Sequence, residues 1–302
     1  MIRMEAVTKK FAGSLAVDNL SLQVKKGEIL GLVGPDGAGK STTIRLMTGI
    51  LKKFDGRIEV LGHCNIEKVK HQLGYVPQKF SLYRDLTVWE NIELIGSLYG
   101  VAHAEILQQA KEILSFTGLW EFRQRRSDRL SGGMKQKLAL ATGLMHKPAI
   151  FFLDEPTTGV DPVARREFWQ LLYQLNQAGM TIVVATPYMD EAELCHRVAL
   201  FNEGRLICCE TPAVLTAQYP HRILSLKTKE KHIESQLVDA SILDIHSFGD
   251  RYHLVVTDIA LATKQIEMIL AKRQIEIIVL EEIKPSLEDV FVAIDSQGGE
   301  TG

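Results

Sequence analysis

Gly34-Pro35-Asp36-Gly37-Ala38-Gly39-Lys40-Ser41 carries the spacing G-x-x-x-x-G-K-S, and it stands between the apolar run EILGLVG and the helical pattern STTIRLMTGIL. With glycine near 7% of residues, a chance match in a chain of this length arises on the order of one time in a hundred. The chemistry asks for that context. Glycines let backbone N–H groups wrap around phosphate oxygens, and a helix N-terminus adds a favourable dipole. Lys40 would reach the β- and γ-phosphates and Ser41 would ligate Mg²⁺. A buried strand that turns through such a loop into a helix commits this part of the chain to an α/β core.

Further strands and helices fit that core. The opening alternates MIRMEAV and LAVDNLSLQV with turns, and Ile44, Met47 and Leu51 continue the first helix at helical spacing. RIEVL returns to strand at 57–61. A helical stretch from about Leu86 to Met145, broken at Gly100, Gly118 and a Ser131-Gly132-Gly133 turn, is expected as an inserted subdomain. AIFFLD (149–154) and TIVVAT (181–186) are expected as buried parallel strands, with a helix from Pro162 to Gln177 between them. At the end of the first of these runs, Asp154 is placed to hold Mg²⁺ through water and Glu155 to polarise an attacking water. Alone, such a pair is more often a helix cap or solvated loop.

After Pro220 the pattern changes to RILSLKT, a helix over 229–240, a hairpin LDIHSF-GD-RYHLVV, a helix over 260–272 and IEIIVLEEI. This β-α-β-β-α-β order predicts a ferredoxin-like α+β unit over 221–295, followed by a helix SLEDVFVAI and a loose tail at 296–302. With 302 residues, two domains are expected, split as 1–218 and 221–295.

Composition excludes several classes. Hydrophobic residues at 46% and charged residues at 24% disfavour disorder and fibrous repeats. Lys+Arg 35 against Asp+Glu 37 gives no net pull toward nucleic acid. No apolar run is long enough to span a membrane and no signal core precedes the first charges, so a cytoplasmic protein is expected. Cysteines 64, 195, 208 and 209 lack metal-site spacing and read as reduced thiols.

Between the two phosphate motifs lies LSGGMKQKLALA, and here the whole order of motifs resembles an ABC-transporter ATPase subunit: GPDGAGKST, Gln78 of YVPQKF, LSGGMKQ, IFFLDEP, and TTGVDP ending at Asp161-Pro162. The resemblance covers roughly residues 1–215. It implies a P-loop NTPase cassette with an inserted helical subdomain, binding ATP and Mg²⁺. The implied nucleotide-binding set is Phe11, Gly34, Asp36, Gly37, Ala38, Gly39, Lys40, Ser41, Thr42, Ser131, Gly132, Gly133 and Asp161. Metal ligation falls by the same resemblance to Ser41, Gln78 and Asp154, and catalysis to Glu155 and Gln78. Phe11 occupies the position of an adenine-stacking ring, with a core aromatic on an edge strand as the alternative; Gln78 by itself would be a solvated loop residue.

The resemblance further implies a second cassette, identical or different, and separate membrane permease subunits, with the chain peripheral on the cytoplasmic face of the inner or plasma membrane. PSLEDVF resembles the C-terminal extension of the drug-exporter branch, so multidrug-type efflux is the leading expectation. The alternatives are a soluble relative acting on ribosomes or nucleic acid, disfavoured by the lack of a coiled-coil insertion, and a low-turnover nucleotide-binding regulator. Asp36 for Asn and Met134 for Gln depart from the family pattern without evident consequence. Pro187 is different. It stands after TIVVAT where the family has a His facing the γ-phosphate, and proline offers neither a side-chain donor nor an N–H. His196 is expected to lie too far along to substitute.

Overall fold

A computed structural model describes residues 1–230, 232–237 and 241–298. In chain order the first unit contains β1 (Ile2–Phe11), β2 (Ser14–Val24), β3 (Ile29–Val33), α1 (Lys40–Met47), β4 (Asp55–Val60), β5 (Leu73–Val76), α2 (Val88–Leu98), α3 (His103–Phe116), α4 (Gly132–Leu144), β6 (Ile150–Asp154), α5 (Pro162–Gln177), β7 (Thr181–Thr186), α6 (Met189–Ala192), β8 (Arg197–Asn202) and β9 (Arg205–Glu210). Helix α7 (Pro212–Ala217) begins at the boundary, and the second unit goes on with β10 (Arg222–Thr228), β11 (Ile242–Phe248), β12 (Arg251–Val256), α8 (Ile259–Lys272), β13 (Ile277–Ile283) and α9 (Leu287–Gly298). The chain divides into compact units at Met1–Pro212 and Ala213–Gly302.

The six-stranded sheet of the first unit runs β5-β6-β7-β3-β8-β9, parallel throughout except for the edge strand β9. Every residue of β3, β6 and β7 is buried, which explains why these segments are unbroken apolar runs rather than alternating ones. Their parallel register brings the C-terminal ends of β3 and β6 to one edge, separated only by β7. A smaller antiparallel sheet, β2-β1-β4, shares the same core through Ile2, Met4, Val17, Leu22 and Ile58.

Helices α2, α3 and α4 bury a separate apolar cluster that includes Ile92, Ile106, Leu114 and Leu138. The start of α2 is fixed by a reciprocal cap in which Thr87 and Glu90 satisfy one another's backbone N–H groups. Ser131 is not part of a turn that interrupts this region. It caps α4, and Gly132 and Gly133 form the first helical turn.

Two other expectations need correcting. Helix α1 stops at Met47, short of Leu51: Thr48 is its C-cap, and Gly49 then turns the chain at φ 71°. In the second unit, the described part of 229–240 holds one 3-10 turn, Glu234–Gln236, in place of a helix. His232 sits at φ 61° and its N–H donates to the Tyr252 hydroxyl, so the chain is pulled out of helical geometry, while Ile233 and Leu237 remain buried as anchors. The four strands of this unit order as β11-β12-β10-β13, all antiparallel, which is the ferredoxin-like arrangement. Helix α9 continues through Gly298, so residues 296–298 of the expected tail are helical; residues 299–302 lie outside the described ones.

Candidate active site

The loop after β3 is built around close approach. Gly34 has φ 153°, and a Cβ there would stand 2.1 Å from the Phe201 carbonyl oxygen. No other residue fits that position. Gly39 caps α1 in a left-handed conformation at φ 99°, and Thr43 N–H is the donor to its carbonyl. The N–H groups of Lys40, Ser41 and Thr42 thus precede the first residue able to find an acceptor inside the helix, and they form the donor-rich end expected of an anion cradle. Pro35, Asp36 and Gly37 are exposed at the loop's crest, whereas Ala38 is buried beneath it.

Lys40 is only 3% exposed. Its Nζ donates to the carbonyls of Gly34 and Pro35, both at 2.8 Å, and lies 3.8 Å from Glu155 Oε1. Burial pushes its pKa below the usual lysine value, while Glu155, Asp36 and Asp154 oppose that shift by stabilising the ammonium. The loop therefore holds a buried cation at its mouth.

Asp154, fully buried at the end of β6, accepts a 2.6 Å hydrogen bond from Ser41 Oγ. Its other oxygen accepts from the Tyr75 hydroxyl at 3.3 Å and is 3.8 Å from Arg45. Burial raises the Tyr75 pKa, with Arg45 opposing, so the phenol remains a donor. Neither Tyr75 nor Arg45 was expected at this site. Arg45 could have been found from its spacing, one helical turn beyond Ser41; Tyr75 is brought in by the β5–β6 register, which its sequence does not announce.

Glu155 follows with φ 49°, a left-handed conformation that costs a non-glycine residue about 1–3 kcal/mol. Its N–H donates to the Ala185 carbonyl at 2.9 Å. Gln78 Nε2 donates to its Oε2 at 2.7 Å, with the Thr158 hydroxyl a weaker donor at 3.4 Å. Gln78, Lys40, Ser41, Asp154 and Glu155 are thus joined through direct contacts. Neither the helix-cap nor the solvated-loop reading of the acidic pair describes this geometry.

Other candidate residues stand apart. Phe11 is 42% exposed with the Lys9 ammonium 4.8 Å above its ring, which rules out a core aromatic. Ser131 Oγ accepts from Met134 N–H at the start of α4. Asp161 Oδ1 accepts from the N–H groups of Val163 and Ala164 and so caps α5, with Pro162 in the first turn. Helices α4 and α5 approach closely at Gly133, where a Cβ would be 2.6 Å from that of Ala164. His196 is engaged elsewhere: its Nδ1 accepts from the Ile29 N–H beside β3. Pro187 is half-buried directly after β7, and the neighbouring Tyr188 ring is covered by the Arg165 guanidinium at 4.2 Å.

Residues that could hold ATP and Mg²⁺ fit those groups on structural grounds. A buried ammonium and a helix N-terminus suit phosphate, and a hydroxyl bonded to a carboxylate supplies the hard oxygens that Mg²⁺ prefers. Among the described residues no helix is long and apolar enough to cross a membrane, and no cluster of His, Cys, Asp and Glu suits a protein-only metal site.

Comparison with known proteins agrees with this geometry. Residues 17–158 match the ABC transporter family model. The probable multidrug ABC transporter ATP-binding protein YbhF of Escherichia coli is 44% identical over 221 residues, which are 72% of this chain but 38% of that protein. The linearmycin resistance ATP-binding protein LnrL of Bacillus subtilis is 38% identical over 222 residues, covering 72% of this chain and 71% of LnrL. Among solved structures, the dimeric cassette MJ0796 in a post-hydrolysis state with ADP and Pi superposes with a TM-score of 0.65 at 29% identity, covering 70% of this chain and 98% of that one. The chain belongs to the ABC transporter ATP-binding family.

Proposed function

We propose that this chain binds and hydrolyses ATP in the presence of Mg²⁺ and, paired with a second cassette, drives multidrug-type export through separate membrane permease subunits at the cytoplasmic face of the membrane. The contacts joining Lys40, Ser41, Asp154, Glu155 and Gln78 carry the reading. Bound MgATP would supply the phosphoanhydride to be cleaved and the charge neutralisation that cleavage needs. Lys40 would exchange its carbonyl partners for phosphate oxygens. Ser41 and Asp154 would hold the metal, and Gln78 would orient the Glu155 carboxylate. Glu155 would accept a proton at its carboxylate oxygen from the attacking water.

The export assignment is supported by the relatives' names, YbhF for multidrug transport and LnrL for linearmycin resistance. The dimeric state of MJ0796 supports a second cassette. In that pairing Ser131 and the N-terminus of α4 would complete the partner's nucleotide site, and Asp161 would lie near the same interface. Phe11, exposed and flat, would stack on adenine. The unit from Ala213 onward carries none of these residues, and we assign it an accessory role.

A direct test is ATP affinity by calorimetry. Lys40→Ala is expected to weaken MgATP binding about 10- to 100-fold, the scale of a lost charge-assisted hydrogen bond. Unchanged affinity would remove this loop as the nucleotide site.

A further inference from the structure

Glu191 lies on α6, the four-residue helix that follows β7, and it is 1% exposed. Its carboxylate is clasped from two sides. Oε1 accepts from the Thr157 hydroxyl at 2.5 Å and Oε2 from the Thr186 hydroxyl at 2.7 Å. Both threonines are themselves buried. Arg165, from the first turns of α5, adds its charge with Nε 3.5 Å from Oε1, and it also reaches Asp190 at 3.5 Å. A buried carboxylate with both oxygens and a cation in place is over-determined; removing it would leave the O–H groups of Thr157 and Thr186 without their acceptor.

The clasp joins the two segments on which hydrolysis depends in the function proposed above. Thr157 is two residues past Glu155, and Thr186 is the last residue of β7, immediately before Pro187. Glu155 holds an unfavourable left-handed backbone directly before a proline, which narrows its choices further. Its own tether to β7, among the described residues, is the N–H bond to Ala185. One anchor fixes one point of the segment; a second, two residues on, fixes its direction. The Thr186 hydroxyl also accepts from the Tyr188 N–H, so the same group holds the turn in which Pro187 stands.

We propose that Glu191 is a positioning residue for hydrolysis: by bridging Thr157 to Thr186 it holds Glu155 in its strained conformation and aims the Glu155 carboxylate. This rests on Glu155 being the proton acceptor. Arg165 and Lys137 extend the arrangement, because α5 carries both Arg165 and Glu167, and Glu167 accepts from Lys137 of α4 at 2.6 Å. One helix therefore touches both the clasp and α4, the helix that Ser131 caps.

The test combines kinetics with amide hydrogen exchange on the full chain. Glu191→Ala is expected to lower kcat ~10- to 100-fold with KM and ATP affinity unchanged, the scale of a misplaced catalytic group. In the nucleotide-free protein it is expected to speed exchange of the Glu155 and Val160 N–H groups. Glu191→Gln should recover most of both properties, since an amide can meet two hydroxyls that rotate to suit it. Thr157→Val provides the same comparison if Glu191→Ala does not fold. In a Glu155→Gln background, Glu191→Ala should slow turnover no further. If Glu155→Gln is slow and Glu191→Ala multiplies that loss in full, or exchange at Glu155 does not change, the positioning role is wrong while the proposed function stands. If Glu155→Gln alone turns over at the wild-type rate, the reading of Glu155 fails and the clasp's role falls with it.

Discussion

Ser41 Oγ and Asp154 Oδ1 are joined by a 2.6 Å hydrogen bond that ties the first turn of α1 to the end of β6. The bond places a hydroxyl and a carboxylate of two different motifs at one point, and the metal assignment follows from it. Ser41→Ala and Asp154→Asn should each weaken divalent binding in the presence of nucleotide about 10- to 100-fold, the scale seen when a metal's supporting oxygens are removed. Mn²⁺ titration followed by electron paramagnetic resonance reads this directly. Undiminished Mn²⁺ affinity in both variants would place the metal elsewhere.

The loop and the acidic pair were legible in the sequence because their determinants are local. Glycine spacing fixes the backbone at 34–39, and four apolar residues before Asp154 announce a buried strand that ends there. What bound Asp154 was less visible: Tyr75 arrives through strand register and Arg45 through the pitch of α1. Glu191 gave no signal, since its partners Thr157 and Thr186 lie in other segments and pair with it only after the sheet has formed. The expected helix over 229–240 failed for a similar reason. Its polar residues permit a helix, but the Tyr252 hydroxyl holds the His232 N–H from a different strand.

Pro187 removes a donor from the position after β7, and Tyr188 is committed to Arg165. Losing one preorganised donor to developing charge costs ~10²–10³ in rate. Pro187→His is therefore expected to raise the ATPase rate of the purified chain by up to that factor. It should be measured alone and with any cognate second cassette. No gain in either setting would show that this position does not limit hydrolysis.

His146 predicts an acid-sensitive fold in the first unit. Its Nε2 donates to the Leu73 carbonyl at 3.0 Å, its ring stacks on Tyr99 at 3.9 Å, and its Nδ1 is buried without a hydrogen-bond partner among the described residues. Burial lowers its pKa below the usual 6.5, with His71 adding to the shift and the Leu73 bond opposing it. Below about pH 6.5 the unfolded chain then binds a proton that the folded chain refuses, so stability falls as pH drops from 6.5 toward the lowered folded value. Urea midpoints at pH 7.5 and 5.5 should differ more for the wild type than for His146→Gln. Equal differences would remove His146 as a source of acid sensitivity.

In the proposed function, Glu155, oriented by Gln78 and held beside Lys40, turns a nucleotide-binding loop into an ATPase. Steady-state MgATP hydrolysis by Glu155→Gln, measured together with ATP affinity, tests it most directly. The substitution preserves the side chain's shape and removes its capacity to take a proton. The expected result is unchanged ATP affinity with turnover reduced by ~10²–10⁴, the range for a lost general base. Hydrolysis at the wild-type rate with affinity intact would contradict it.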